Sequence, residues 1–141
     1  MKTVLIAEDE KFIRLGLKAM IGRADTPVEE ILEARDGAEA LAVLQSRPVD
    51  LLVTDIRMPK MDGIELVSKL QGLPHPPLVL VISGYDDFNY AVSMLRSGVQ
   101  DYLLKPVERT KLQSTLAKLE ALYQERCLAE QNDERQLTQA L

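Results

Sequence analysis

Apolar residues fall along the chain in short unbroken runs, separated by stretches where they recur every three or four positions. The runs are Thr3–Ala7, Ile31–Ala34, Leu51–Thr54, Leu78–Ile82 and Tyr102–Leu104. Continuous runs of this length read as strands buried on both faces. The intervening stretches have helical spacing. Phe12, Ile13, Leu17, Met20 and Ile21 predict a first helix. Ala38, Leu41, Ala42 and Leu44 predict a second. Ile64, Leu66, Val67 and Leu70 predict a third, with Ile64, Val67 and Leu70 on one face. Phe88, Ala91, Val92 and Leu95 predict a fourth, closed by Gly98. Pro27, Asp36-Gly37 and the stretch LPHPP mark breaks between elements. A fifth helix carries Leu112, Leu116, Leu119 and Tyr123 on one face. Beyond Glu125 that face thins to Leu128, Leu137 and Leu141 among strong helix formers, without Pro or Gly. The tail reads equally as a continued helix or as a solvated extension.

Five strands alternating with helices predict an α/β fold with a doubly wound parallel sheet. Such sheets bind ligands beyond the carboxyl ends of their strands. The first strand ends at Glu8-Asp9-Glu10, the third at Asp55, the fourth at Ser83-Gly84 and the fifth at Lys105-Pro106. Taken singly, each has an ordinary explanation. Glu8 or Asp9 can cap a helix, Asp55 can make an Asx turn, Ser83 can open a turn and Lys105 can be solvated. Four such groups at one sheet edge instead predict a shared pocket.

Composition narrows the chemistry. The chain has 141 residues, 46% of them hydrophobic, a net charge of -5 and a pI near 4.9. That balance gives no electrostatic footprint for nucleic acid. No apolar run approaches the roughly 20 residues of a membrane span. The single cysteine, Cys127, excludes an internal disulfide, and the chain reads as a cytoplasmic protein. Clustered carboxylates repel and resist ionisation, which a divalent cation relieves. Oxygen-only ligands, with no His or Cys at these ends, point to Mg²⁺. A carboxylate beside such an ion can act as a nucleophile toward phosphorus, with a lysine and a hydroxyl on the transferred oxygens.

The stretches LIAEDE, VTDIRMPKMDG, VISGYDDF and DYLLKP, in this order, resemble the receiver domain of two-component response regulators over about residues 1–107. The resemblance implies a flavodoxin-like sheet of strand order 2-1-3-4-5. It implies Asp55 as phosphoacceptor and Glu8, Asp9, Asp55 and the backbone carbonyl of Arg57 around Mg²⁺, Glu8 acting through water. Ser83 and Lys105 are then the phosphoryl-binding pair, Ser83 and Tyr102 the switch, and the Lys105–Pro106 peptide cis, aiming Lys105 at the site. The donor would be a sensor histidine kinase, and the module a switch rather than an enzyme with turnover. SGYDDFNYAVSMLRSGVQDYLLKPV is similar to receivers attached to AraC-type transcription regulators. Residues 1–124 are therefore expected to form the receiver and 125–141 a helical linker or tail toward a DNA-binding output domain. A second copy of the chain is expected on the fourth-helix and fifth-strand face or the tail helix. A phosphatase of the haloacid dehalogenase type would need an acid where Arg57 stands. A cofactor-binding flavodoxin-like module would need a phosphate-cradling loop where the first acids stand. Asp62 reads as a helix cap, and His75 and Cys127 as incidental.

Overall fold

The computed structural model describes residues 1–140, and the side chains of residues 1–136. The order is β1 (Thr3–Ala7), α1 (Lys11–Gly22), β2 (Glu30–Ala34), α2 (Gly37–Ser46), β3 (Leu51–Asp55), α3 (Gly63–Lys69), β4 (Leu78–Ser83), α4 (Phe88–Leu95), β5 (Asp101–Leu104) and α5 (Arg109–Ala140). Short 3₁₀ turns at Leu70–Gly72 and Tyr85–Asp87 follow α3 and precede α4. The five strands form one parallel sheet in the order β2-β1-β3-β4-β5.

Every residue of β1, β3 and β4 is buried because helices cover both faces. Alternate residues then feed different cores. Leu5, Leu52 and Val81 face a core closed by Ala40 and Leu44 of α2, Leu66 and Val67 of α3, and Ala91 and Met94 of α4. Val4, Ile6, Leu51, Val53, Leu80 and Ile82 face a second core closed by Leu17 and Ile21 of α1 and by Leu112, Leu116 and Leu119 of α5.

The strand runs match the predicted ones to within a residue or two, while several helix faces differ. Phe12 is 86% exposed, and Arg14, not Phe12, joins Leu17 and Ile21 on the buried side of α1. In α2 the buried stripe is Gly37, Ala40 and Leu44, leaving Ala38 and Ala42 outside. In α3 Ile64 is exposed and Leu66 takes its place in the core. Helices rich in alanine or short of polar residues carry too little contrast to fix their rotation. Gly98 closes α4 as expected: its φ of 98° is left-handed, and the Val99 N–H returns to the Met94 carbonyl at 3.3 Å. Asp62 caps α3 through the Glu65 N–H at 2.8 Å. The Lys105–Pro106 peptide is cis.

Helix α5 is continuous, so residues 125–140 extend the helix that packs on the sheet. Its core stripe ends near Tyr123, and Leu128 is 58% exposed. Arg126 donates to the Pro76 carbonyl at 2.8 Å. The side chains of Leu137 and Leu141 lie outside the described residues.

Candidate functional site

Strand order makes the site. The order in which strands are added reverses between β1 and β3, the point where sheets of this winding open a crevice at their carboxyl edge. Ala7 of β1 is in register with Thr54 of β3, so the next step sets Glu8 beside Asp55. One carboxylate oxygen from each of Glu8, Asp9 and Asp55 lies within 4.8 Å of the others. Glu8 is 1% exposed and Asp55 6%, while Asp9 is open to solvent. From the end of β5, Lys105 Nζ reaches Asp55 Oδ2 at 2.7 Å and Glu8 Oε2 at 3.2 Å. Asp55 Oδ1 accepts the Ile56 N–H at 2.8 Å. The structure thus brings Glu8, Asp9, Asp55 and Lys105 together from three strand ends.

The group is electrostatically unbalanced, with one ammonium facing three carboxylates. Burial pushes Glu8 up to about 7, and the neighbouring Asp55 carboxylate adds to the rise. Burial pulls Lys105 toward its neutral form, but the hydrogen bond and charge of Asp55, with the charge of Glu8, outweigh this and raise it. Among the described residues Glu8 Oε2, which is buried, has no hydrogen bond, because the lysine at 3.2 Å makes an ion-pair contact without hydrogen-bond alignment. A buried oxygen without an aligned hydrogen bond, within an all-oxygen acidic set, fits a hard divalent cation. Glu8, Asp9 and Asp55 could hold one.

The remaining expected residues lie on β4, on β5 and in the loop after β3. Ser83, fully buried at the end of β4, donates its hydroxyl to the Gly84 carbonyl at 2.8 Å, and its own carbonyl accepts the Lys105 N–H at 2.8 Å. Tyr102 is half-buried on β5, its ring edge-to-face with Phe88 of α4 at 5.6 Å and 77°. Arg57 follows β3 by two residues, and its guanidinium is turned toward α4, where Nε lies 2.7 Å from Asp87 Oδ1. Gly63 lets the loop fold tightly over the strand end. A Cβ there would stand 2.1 Å from the Asp55 carbonyl, and the Gly63 N–H donates to the Ile56 carbonyl at 2.7 Å.

Two side chains bear on the site without a distinct signal in the sequence. Arg14 is buried, donating Nη1 to the Glu8 carbonyl at 3.0 Å and pairing with Glu33 of β2 at 3.0 Å. It braces the backbone that carries the first acids. A charged residue at a position of helical core spacing was the available clue. Asp87, 6% exposed, is the second, and its partner Arg57 is 30 residues away in sequence.

A doubly wound sheet in this order, with acids and a lysine converging at its carboxyl edge, defines the receiver class of signalling domains. The chain belongs to the response regulator receiver domain family, whose pattern matches residues 4–117. It is the receiver domain of a two-component response regulator. It is 40% identical over 116 residues to the transcriptional regulatory protein HptR of Staphylococcus aureus, covering 82% of this chain and 45% of that protein. It is 39% identical over 113 residues to an uncharacterised response regulatory protein of Staphylococcus epidermidis, covering 80% of this chain and 44% of that protein. The chain thus spans less than half the length of these relatives. Among solved structures it resembles the receiver domain of AraT, a response regulator from Geobacillus stearothermophilus, with 41% identity and a TM-score of 0.75 over 89% of this chain and 98% of that one. An AraC two-component transcriptional regulator from Clostridium phytofermentans follows at 32% identity and a TM-score of 0.77, over 91% and 99%. Among the described residues no helix is long and apolar enough to cross a membrane.

Proposed function

We propose that this receiver accepts a phosphoryl group on Asp55 from the phosphohistidine of a sensor kinase and converts it into a change of the α4–β5 surface. The observation that carries the reading is the buried Asp55 carboxylate, bound to Lys105 and crowded by Glu8 and Asp9 at the crevice of the sheet.

In the transfer, an Asp55 oxygen forms a bond to phosphorus as the donor's nitrogen–phosphorus bond breaks, and the electron pair leaves with the imidazole. Asp9, Asp55 and the Arg57 carbonyl would hold Mg²⁺ directly in this reading, and Glu8 would act through water. When bound, the ion neutralises charge on the transferred phosphoryl oxygens. Lys105, already 2.7 Å from Asp55, exchanges a carboxylate oxygen for a phosphoryl oxygen. The Ser83 hydroxyl leaves the Gly84 carbonyl for a second phosphoryl oxygen. Its departure opens space into which Tyr102 turns from its packing on Phe88. The phosphoryl group adds nearly two negative charges and three acceptors, and so biases a two-state surface. The module works as a switch, without substrate turnover.

Residues 1–124 act as the receiver and 125–141 as a helical linker toward an output domain of the transcription-regulator kind, in keeping with the transcriptional regulatory protein HptR, of which this chain covers 45%; DNA would be met through that domain alone. The α4–β5 face or the tail helix is the surface offered to a second copy of the chain.

Acetyl phosphate with Mg²⁺ should add one phosphoryl group, read by intact mass, and Asp55→Asn should take none. Labelling that persists in Asp55→Asn moves the nucleophile elsewhere. Lys105→Ala should retain Mg²⁺ yet lose the surface change that follows phosphorylation.

A further inference from the structure

The face that α1 turns to the core carries Arg14, Leu17 and Ile21, and only the first is charged. Arginine is rarely buried without partners. Arg14, 9% exposed, has two: Nη1 donates to the Glu8 carbonyl at 3.0 Å, and Nε donates to Glu33 Oε1 at 3.0 Å. The Glu8 carbonyl belongs to the peptide that joins Glu8 to Asp9. That unit is planar, so a donor held on its oxygen restrains the plane that carries both flanking Cα atoms. The Glu8 N–H is in turn held by the Ala34 carbonyl at 3.0 Å. Both backbone groups of Glu8 are thus anchored from other elements, one from β2 and one from α1. Glu8 and Asp9 are two of the three acids whose oxygens converge within 4.8 Å, and like charges at that spacing push apart.

We propose that Arg14 is a positioning residue of the cation site, holding the Glu8–Asp9 peptide in place against carboxylate repulsion while Glu33 cancels its charge. The inference rests on the reading of these acids as the Mg²⁺ site. Groups that orient metal ligands govern affinity nearly as strongly as the ligands themselves. An unpaired guanidinium this close would repel the ion whose ligands it holds. Glu33 removes that conflict. Lys18 meets the other Glu33 oxygen at 3.2 Å, but its side chain is 46% exposed and water screens its charge. The Arg14–Glu33 pair therefore delivers a hydrogen bond to the site without delivering a positive charge. In this scheme Arg14 touches neither the ion nor the phosphorus.

The test titrates Mg²⁺ into the wild type, Arg14→Met, Glu33→Gln and the double variant, following the backbone amide signals of Asp9 and Ile56 by NMR. Methionine keeps a long apolar stem and loses the donors. Arg14→Met should bind Mg²⁺ about tenfold more weakly. Glu33→Gln should weaken binding about threefold while Arg14 is present and add nothing in Arg14→Met, because only the unpaired guanidinium repels the ion. A merely structural ion pair predicts a lower urea midpoint in both single variants with Mg²⁺ affinity intact. Wild-type affinity in Arg14→Met, or an equal effect of Glu33→Gln in both backgrounds, overturns the proposal. Should Arg14→Met fail to fold, Glu33→Gln, which leaves the Glu8 carbonyl its donor, decides alone, and wild-type affinity there overturns the proposal. In EDTA, hydrogen exchange at the Glu8 amide should rise about tenfold in Arg14→Met relative to that at Leu52 in the centre of β3. If the wild type shows no response to Mg²⁺, the cation reading fails instead, and an unchanged ratio of Glu8 to Leu52 exchange still overturns the brace.

Discussion

Strand β3 is flanked by two aspartates with opposite fates. Asp50, just before the strand, accepts the backbone N–H groups of Lys2 and Thr3 on Oδ2 at 2.7 and 3.0 Å. Its charge is used up in stitching the start of β1 to the sheet. Asp55, at the far end, meets one N–H, one lysine and two further carboxylates. The same residue type meets only backbone donors at one end of the strand and is crowded by other carboxylates at the other, where Glu8 Oε2 is buried without a hydrogen bond among the described residues. Polar groups that the chain can pair by itself hold it together. Those it cannot pair are where an ion or a phosphoryl group finds its place.

The sharpest way to break the contrast is to disturb how tightly the chain wraps the Asp55 end. Gly63→Ala forces a Cβ against the Asp55 carbonyl at 2.1 Å and should cost 3 kcal/mol or more, roughly the upper range for overpacking, read as a lower urea midpoint. Little change would mean that the loop is free to yield.

Next comes pH. Glu8, normally near 4.5, stands at about 7 in the folded protein. Between these values the folded state holds a proton the unfolded chain has lost, so its stabilising effect is complete below pH 4.5 and disappears as pH rises through 7. In EDTA, the stability of the wild type relative to Glu8→Gln should fall by about 2–3 kcal/mol over that window. A difference that is flat or rising with pH would contradict the burial and crowding of Glu8. Mg²⁺ should oppose the fall.

Asp50→Ala should destabilise by about 2 kcal/mol, because two backbone donors lose their acceptor, while acetyl phosphate labelling persists. Asp55→Asn should do the reverse in EDTA, raising stability by about 1 kcal/mol as carboxylate repulsion falls. If both substitutions destabilise alike, the two ends of β3 do not differ in kind.

Much of this was legible in the chain. The three central strands appear as apolar runs, because burial on both faces leaves no alternation to misread. Strand-end residues could be named because a parallel sheet puts all its carboxyl ends on one edge. Helix rotation was less legible: Ala38 and Ala42 look as apolar as the buried Ala40, and Ile64 is as hydrophobic as Leu66. Arg14 was hidden for the opposite reason, since a charged residue reads as surface until its partners, Glu33 and the Glu8 carbonyl, are in place.

By itself the sequence determined the alternation of strands and helices and which side chains stand at each strand's carboxyl end, because those depend on local periodicity. Only the tertiary structure decided that Lys105 bridges Asp55 and Glu8, that Arg57 turns to Asp87, and that Glu8 Oε2 is buried with no hydrogen bond among the described residues. These pairings join residues 30 to 97 positions apart, and their strength depends on the burial that packing alone creates.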